Sequence, residues 1–288
     1  LPEAAADWLA ATDPASAQPQ RVLLAGCGDL GSRLAPLLLA RGHEVFGLRR
    51  SAAPLPAGVV PVRADLLAPD SLGGLPDALD AVVCTLTPSS RDEAGYRAVY
   101  IEAPLNLLRA LGSSSPRWLF ASSTAVYGGD DGRLIDDDTP AEPDAFNGRI
   151  LLQAELSLAD RVPDALALRF SGIYGPGRRM LLRRAQTETV SRPHWSNRIH
   201  ADDAAAALAF CLHRPDLKGA LIVSDGCPTR EDALMAWLSQ RLGRPAPTCV
   251  GGPESGRRIF PKRLHEAGFS PRFPDFRLGY SSLLQETE

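Results

Sequence analysis

The sequence predicts an α/β fold, a doubly wound parallel sheet with a small C-terminal substrate lobe, and three observations carry that prediction. Short apolar runs alternate with helical patterns from Arg21 onward. A glycine triplet follows the first run directly and opens the first helix. Residues able to do chemistry cluster just after each run, where ligands sit on such sheets.

Taken in order, Arg21–Ala25 reads as a first strand, apolar enough for burial on both faces. Gly26-Cys27-Gly28-Asp29-Leu30-Gly31 follows, then a helix over Ser32–Arg41 stopped by Gly42. His43–Leu48 is a second strand ending in Arg49-Arg50-Ser51. Val59–Ala64 is a third, ending in Asp65-Leu66, and Ala81–Cys84 a fourth, ending in Thr85-Leu86-Thr87-Pro88. A long helix runs from about Asp92 to Leu111, and Pro104 inside it must bend it or mark a break. Arg117–Ala121 is a fifth strand leading into Ser122-Ser123-Thr124-Ala125-Val126-Tyr127-Gly128. Asp130–Asp144 reads as an acidic loop, Arg149–Asp160 as a helix and Ala165–Phe170 as a sixth strand.

After Gly175-Pro176-Gly177 the rhythm changes. The pattern predicts a short arginine-rich helix over Arg178–Thr189, an alanine-rich helix ending near His213 and another strand at Ala220–Val223. A helix over Arg230–Leu242 follows, with Thr229 as its cap. The chain is thus read as an N-terminal extension (1–20), a core (21–175) and a C-terminal lobe (176–288), with about 199–226 returning to the core. Leu1–Leu9 reads as a peripheral helix or frayed tail and Asp13–Gln20 as its link.

Composition narrows the function classes. Of 288 residues 44% are hydrophobic, enough for a buried core. Lysine plus arginine is 31 against 34 acids, a net charge of −3, which offers no global field to nucleic acid or to an anionic membrane surface. No apolar run approaches the ~20 residues that span a bilayer, and no secretory signal pattern opens the sequence. Cys27, Cys84, Cys211, Cys227 and Cys249 are scattered, so no disulfide framework or metal site is expected; Cys27 and Cys84 read as small packed residues, and the pattern suits a cytoplasmic location. Asp130, Asp131 and Asp136–Asp138 either bind a divalent cation or, as adjacent aspartates on a loop usually are, stay solvated, and the solvated reading is preferred.

The glycine triplet points to a dinucleotide. Gly26 permits the tight turn, Gly28 lets backbone approach a diphosphate, and Gly31 allows close helix–strand packing, while the helix N-terminus offers free N–H groups. NAD-binding forms usually place an acid at the end of the second strand; Arg49 and Arg50 stand there instead. Guanidinium groups suit a 2′-phosphate, so NADP(H) is preferred with NAD(H) as the alternative, against the plain reading of two solvated arginines. Asp65 either accepts from the adenine amino group or caps a helix. Ser51, Leu66, Thr85, Ser122, Phe170, Gly172 and Ile173 complete the expected cofactor contacts.

Gly26–Gly31, Asp65-Leu66, Ser122–Gly128, Arg169-Phe170-Ser171-Gly172-Ile173-Tyr174-Gly175-Pro176-Gly177 and Asn197–Asp203 together resemble the short-chain dehydrogenase/reductase superfamily in its extended, epimerase/dehydratase-like form, over roughly Arg21 to Asp203. The chain is especially similar to an atypical YeeZ-like subgroup, as is its closing stretch Pro271–Tyr280. The resemblance implies a Rossmann-type fold, NADP binding, a small-molecule substrate and pairing into a homodimer through two long helices. It also implies three chemical roles: a proton-transferring tyrosine, a lysine four residues on, and a serine or threonine that orients the substrate oxygen. Ser123 fits the last role. Where the family carries Tyr-Gly-x-x-Lys-x-x-x-Glu, this chain has Asn147-Gly148-Arg149-Ile150-Leu151-Leu152-Gln153-Ala154-Glu155, so neither tyrosine nor lysine is present.

Three readings follow: another group replaces the tyrosine, Ser123 and water suffice, or catalysis is lost and the chain senses or carries NADP(H). Replacement candidates are Tyr127, Tyr174, Arg149, His200 and Asp202, each of which also has a structural reading. Thr124 stands where related dehydratases carry an acid, which argues against sugar dehydration. Arg178, Arg179, Arg183 and Arg184 either meet an anionic substrate or form the exposed face of a short helix. The expected activity is that of a reductase or epimerase at a carbonyl or hydroxyl carbon; the alternative is a non-catalytic sensor.

Overall fold

The computed structural model describes residues 18–285. The expectations for Leu1–Leu9 and for most of Asp13–Gln20 lie outside the described residues. Seven strands form the central sheet: β1 (Arg21–Ala25), β2 (Glu44–Arg49), β3 (Val60–Arg63), β4 (Ala81–Cys84), β5 (Arg117–Ser123), β6 (Leu166–Phe170) and β7 (Gly219–Val223). Their spatial order is β7-β6-β5-β4-β1-β2-β3, the doubly wound arrangement expected, with β1 in parallel register with both β2 and β4. The chain divides into two compact units, the first comprising residues up to Val126 with Glu142–Arg169 and Ala205–Leu221, the second Tyr127–Ala141, Phe170–Ala204 and the chain from Ile222 on.

In the first unit, Val22, Leu23, Leu24, Val82 and Val83 are fully buried, as strands covered on both faces must be. Helix α1 (Asp29–Leu39) begins three residues earlier than predicted, with Gly28 at its N-cap, so the helix starts inside the glycine motif. Leu34, Ala35 and Leu38 form its buried stripe. The long helix resolves into α2 (Glu93–Arg97), a π-helical turn (Ala98–Glu102) and α3 (Ala103–Leu111). Asp92 caps α2 by accepting from the Gly95 N–H at 2.7 Å. Pro104 lies in the first turn of α3, where a missing N–H costs least, and the wide π turn before it is the break it demanded. Helix α4 (Phe146–Arg161) also starts three residues earlier than expected, placing Asn147 in its first turn.

The second unit contains α5 (Met180–Thr187), the start of α6 (Ala201–Leu212), α7 (Glu231–Arg241), α8 (Lys262–Glu266) and α9 (Phe276–Gln285). Leu182 and Ala185 pack with Leu234, Met235 and Leu238 and with Phe276, Tyr280 and Leu283 in one apolar cluster. Two expectations are corrected here. Thr229 does not cap α7: its hydroxyl donates to the Cys227 carbonyl and its backbone pairs with Ser196, leaving Arg230 at the N-cap. The acidic run is not simply solvated: Asp137 accepts from the Ile222 and Arg263 N–H groups at 2.7 and 2.9 Å, Asp138 pairs with Lys262, and Asp130 accepts from the Gly256 N–H. These carboxylates stitch the 130–138 loop to later segments of the same unit, which local composition does not reveal.

Candidate cofactor and active site

The glycine turn is built as the spacing requires. Gly26 has φ +88°, and a side chain there would meet Leu86 at 2.8 Å. A Cβ on Gly31 would lie 3.3 Å from both the Gly26 carbonyl and the Thr85 hydroxyl, so this position allows the close approach of helix to strand. At Gly28 the nearest atom to such a Cβ is 3.9 Å away, which leaves that side of the turn open. No side chain caps α1 at Gly28, so the N–H groups of its first turn face whatever enters there. Asp29, within that turn, is held by Arg33 at 2.9 Å. Cys27 is fully buried, and burial raises its thiol pKa. The Thr85 hydroxyl donates to the Gly26 carbonyl at 2.9 Å, locking the turn from β4.

The same turn is fastened to β2. Gly26 and Cys27 N–H both donate to the Leu48 carbonyl, at 3.1 and 3.0 Å, one residue before Arg49. Arg49 closes β2 and donates from Nη1 to the carbonyls of Ala53 and Pro54, clamping the loop that begins at Arg50 and Ser51. Its partner in the β2–β3 register is Arg63, a residue the sequence reading passed over. Arg50, Ser51 and Arg63 are exposed. Asp65 accepts from the Leu67 N–H at 3.0 Å and ties down its own turn; Leu66 behind it is buried.

At the end of β5 the two serines part ways. Ser122 is buried and donates to Glu155 at 2.5 Å, so its hydroxyl is spent inside the protein. Ser123 is half-buried and accepts from the Ala125 N–H at 3.2 Å, leaving its own proton for another acceptor. Thr124 follows in a half-buried 3-10 turn. Helix α4 is seated hard on this turn: a Cβ on Gly148 would lie 2.1 Å from the Ala125 carbonyl, so only glycine fits. Glu155, two turns on, is buried and accepts from Arg169 on β6 at 2.7 Å as well as from Ser122. Asn147 is half-buried at the start of α4, and Leu151 is 3% exposed one turn on. Arg149 points outward and donates to the Asp144 carbonyl at 2.7 Å. Tyr96 and Tyr100, not singled out in the sequence, pack edge-on against Phe146 and Phe120, and burial pushes the Tyr100 hydroxyl up to about 12.

The remaining predicted residues belong to the second unit. Gly172, Ile173 and Tyr174 pair in parallel with Arg198, Ile199 and His200; Phe170 is buried just before them. Tyr174 is 4% exposed, stacks on Tyr280 at 4.6 Å, and sets its hydroxyl where a Cβ on Gly279 would stand 2.0 Å away. Burial raises its pKa far above the usual phenol range. Tyr127 is likewise buried and accepts from Arg257 through its carbonyl. His200 is buried, 4.2 Å from the Phe273 ring, with Nδ1 accepting from the Asp202 N–H at 3.3 Å. Arg178 is half-buried, and Arg184 is committed to Glu188 and Glu231. Among the described residues no cluster of His, Cys, Asp and Glu is arranged to hold a metal ion, and no helix is long and apolar enough to cross a membrane.

A doubly wound sheet with an open glycine turn at the carboxyl end of β1 defines a dinucleotide-binding protein. The family model for the NAD dependent epimerase/dehydratase family matches residues 22–223, and the chain belongs to that family. It is 30% identical over 272 residues to Protein YeeZ of Escherichia coli (strain K12), covering 89% of this chain and 97% of that one. It is 28% identical over 253 residues to the 3-diazoavenalumate denitrifying reductase of Streptomyces sp, covering 79% and 83%. A solved structure from Methylobacillus flagellatus, assigned as an NAD-dependent epimerase/dehydratase, superposes with a TM-score of 0.84 at 38% identity over 94% of this chain and 99% of its own.

Proposed function

We propose that the chain is an NADP(H)-binding reductase or epimerase acting at a carbonyl or hydroxyl carbon, with Asn147 and Leu151 standing where the family's tyrosine and lysine would be. The observation that carries the cofactor half is the joining of the glycine turn to the arginine end of β2 through the Leu48 carbonyl. The first-turn N–H groups of α1 and the open side of Gly28 fit a diphosphate; Arg49, Arg50 and Ser51 fit the ribose 2′ position, with Asp65 and Leu66 toward adenine. When bound, the nicotinamide ring gives or accepts a hydride at C4.

The catalytic half rests on α4. Gly148 against Ala125, and Glu155 against Ser122 and Arg169, pin this helix at both ends of the stretch, which supports replacement in place of Tyr and Lys over a shifted register. Asn147 can hold a substrate oxygen by hydrogen bonding but cannot exchange its proton near neutral pH. Ser123 is then the group that donates to the substrate oxygen, with Thr124 beside it. Hydride delivery to a strongly polarised acceptor needs little acid help, and a reductase among the relatives favours that direction over dehydration. The substrate is a small molecule. Two copies pairing through α4 is supported by Leu156, 63% exposed on that helix. The five scattered cysteines, with no CxxC pair among them, support a cytoplasmic setting.

Calorimetry with NADPH and NADH, followed by an absorbance assay over a carbonyl panel, tests this. NADPH is expected to bind at least about tenfold tighter, and Ser123→Ala to lower turnover about 10²-fold. Absence of binding by either nucleotide to folded protein overturns the reading. A non-catalytic NADP(H) sensor is the second reading, favoured by the buried, uncharged Leu151. Tight NADPH binding with no turnover, unchanged in Asn147→Tyr with Leu151→Lys, would select it.

A further inference from the structure

The two ends of β2 carry opposite electrostatics. Its first residue, Glu44, is paired with Arg21 at 2.8 Å, the first residue of β1. Its last residue, Arg49, faces Arg63 as direct register partner, the last residue of β3. Directly paired residues on neighbouring strands project to the same face of the sheet, so both arginine side chains leave it on one side. Arg50 follows immediately and is exposed, as is Arg63. Among the described residues, no carboxylate is ion-paired with any of the three. Asp65, two residues past Arg63, accepts from the Leu67 N–H and receives nothing from these arginines.

This pair sits at the carboxyl end of parallel strands, the ligand side of such folds. The glycine turn is hydrogen-bonded to the residue just before Arg49. One Nη of Arg49 is already occupied with the carbonyls of Ala53 and Pro54, so Arg49 is in part a clamp on its own loop. Among the described residues, the Arg63 side chain has no such engagement.

We infer that Arg63, on β3, is a specificity-determining residue: together with Arg50 it binds a phosphomonoester on the adenosine ribose, while Arg49 holds the loop that carries Arg50. The inference rests on the NADP(H) reading above and deepens it. A dianion placed there gains charge-assisted hydrogen bonds that a 2′-hydroxyl cannot supply. A residue at the end of the next strand thereby acts in cofactor choice alongside the usual position on β2.

The test is calorimetric titration with 2′,5′-ADP and 5′-ADP, which lack the nicotinamide, on the full chain and on Arg63→Gln and Arg63→Lys. Arg63→Gln is expected to weaken 2′,5′-ADP about tenfold or more and leave 5′-ADP within about twofold, with Arg63→Lys between. Arg63 is exposed on an edge strand, and a thermal melt of each variant confirms the fold. If the unaltered protein prefers 2′,5′-ADP but Arg63→Gln changes neither affinity, or lowers both equally, Arg63 has no part in selection and only this inference falls. If the unaltered protein does not distinguish the two nucleotides, the NADP(H) reading falls and takes this one with it.

Discussion

Glu155 in the first unit and Asp225 in the second are each 7% exposed, yet they live in opposite surroundings. Glu155 accepts from Ser122 at 2.5 Å and from the Arg169 guanidinium at 2.7 Å. Asp225 accepts from the Cys227 N–H at 2.9 Å, and among the described residues its buried Oδ2 has no hydrogen-bond partner. Burial pushes the Asp225 carboxyl up to about 7, against the pull of the Cys227 N–H and Arg198 and with help from Asp275 and Asp203. Equal depth therefore does not mean equal chemistry. A buried carboxylate with a guanidinium and a hydroxyl is a structural tie, while burial of one with fewer donors raises its pKa.

The largest effect expected from this contrast is at Arg169→Met, which strands the Glu155 charge and should cost about 3–5 kcal/mol in denaturant unfolding. Adding Glu155→Leu should recover much of that loss; if the double variant is as unstable as the single, the tie is not electrostatic. Next is Asp225→Asn. A carboxyl whose folded pKa is raised binds more protons folded than unfolded between about pH 4 and 7. It therefore weighs least on stability below the unfolded value, and the loss is complete once pH has risen past about 7. At pH 8 Asp225→Asn should stabilise by about 2–4 kcal/mol, with no gain near pH 4. Asp203, pushed up to about 6 by burial against the Phe273 and Arg272 N–H groups, contributes a smaller slope of the same sign that survives in this variant. A melting temperature equally raised at both pH values would contradict the assignment. Ser122→Ala should cost least, about 1–2 kcal/mol, since Glu155 keeps Arg169; a loss as large as that of Arg169→Met would mean that the hydroxyl, not the ion pair, anchors the carboxylate.

Much of the first unit was legible residue by residue. The apolar runs, the glycine triplet and the arginine end of β2 are local signals, and the sheet strands and helices α1, α2 and α4 lie within three residues of their expected starts, while the 3-10 helix Pro69–Gly74 was not foreseen. The glycine roles could be assigned because φ at Gly26 and the close approach at Gly31 follow from the turn itself. The second unit was less readable. Its strands are two or three residues long, and the 130–138 carboxylates find their partners more than a hundred residues away in some cases, as Asp137 does with Arg263 at a separation of 126. Tyr174 and His200 read as catalytic candidates because tyrosine and histidine carry usable protons; that both are packed away from solvent is a property of their neighbours.

Sequence alone determined the order of strands and helices, the glycine turn after β1, and the absence of a tyrosine and a lysine from the start of α4, because each is written in residues adjacent along the chain. Only the folded chain decided that Arg63 stands beside Arg49, that Ser122 faces inward while Ser123 does not, and that Gly148 lies against Ala125. Those facts depend on strand register and on segments far apart in sequence meeting across a sheet, where burial and partner geometry, not residue type, set what a side chain can do.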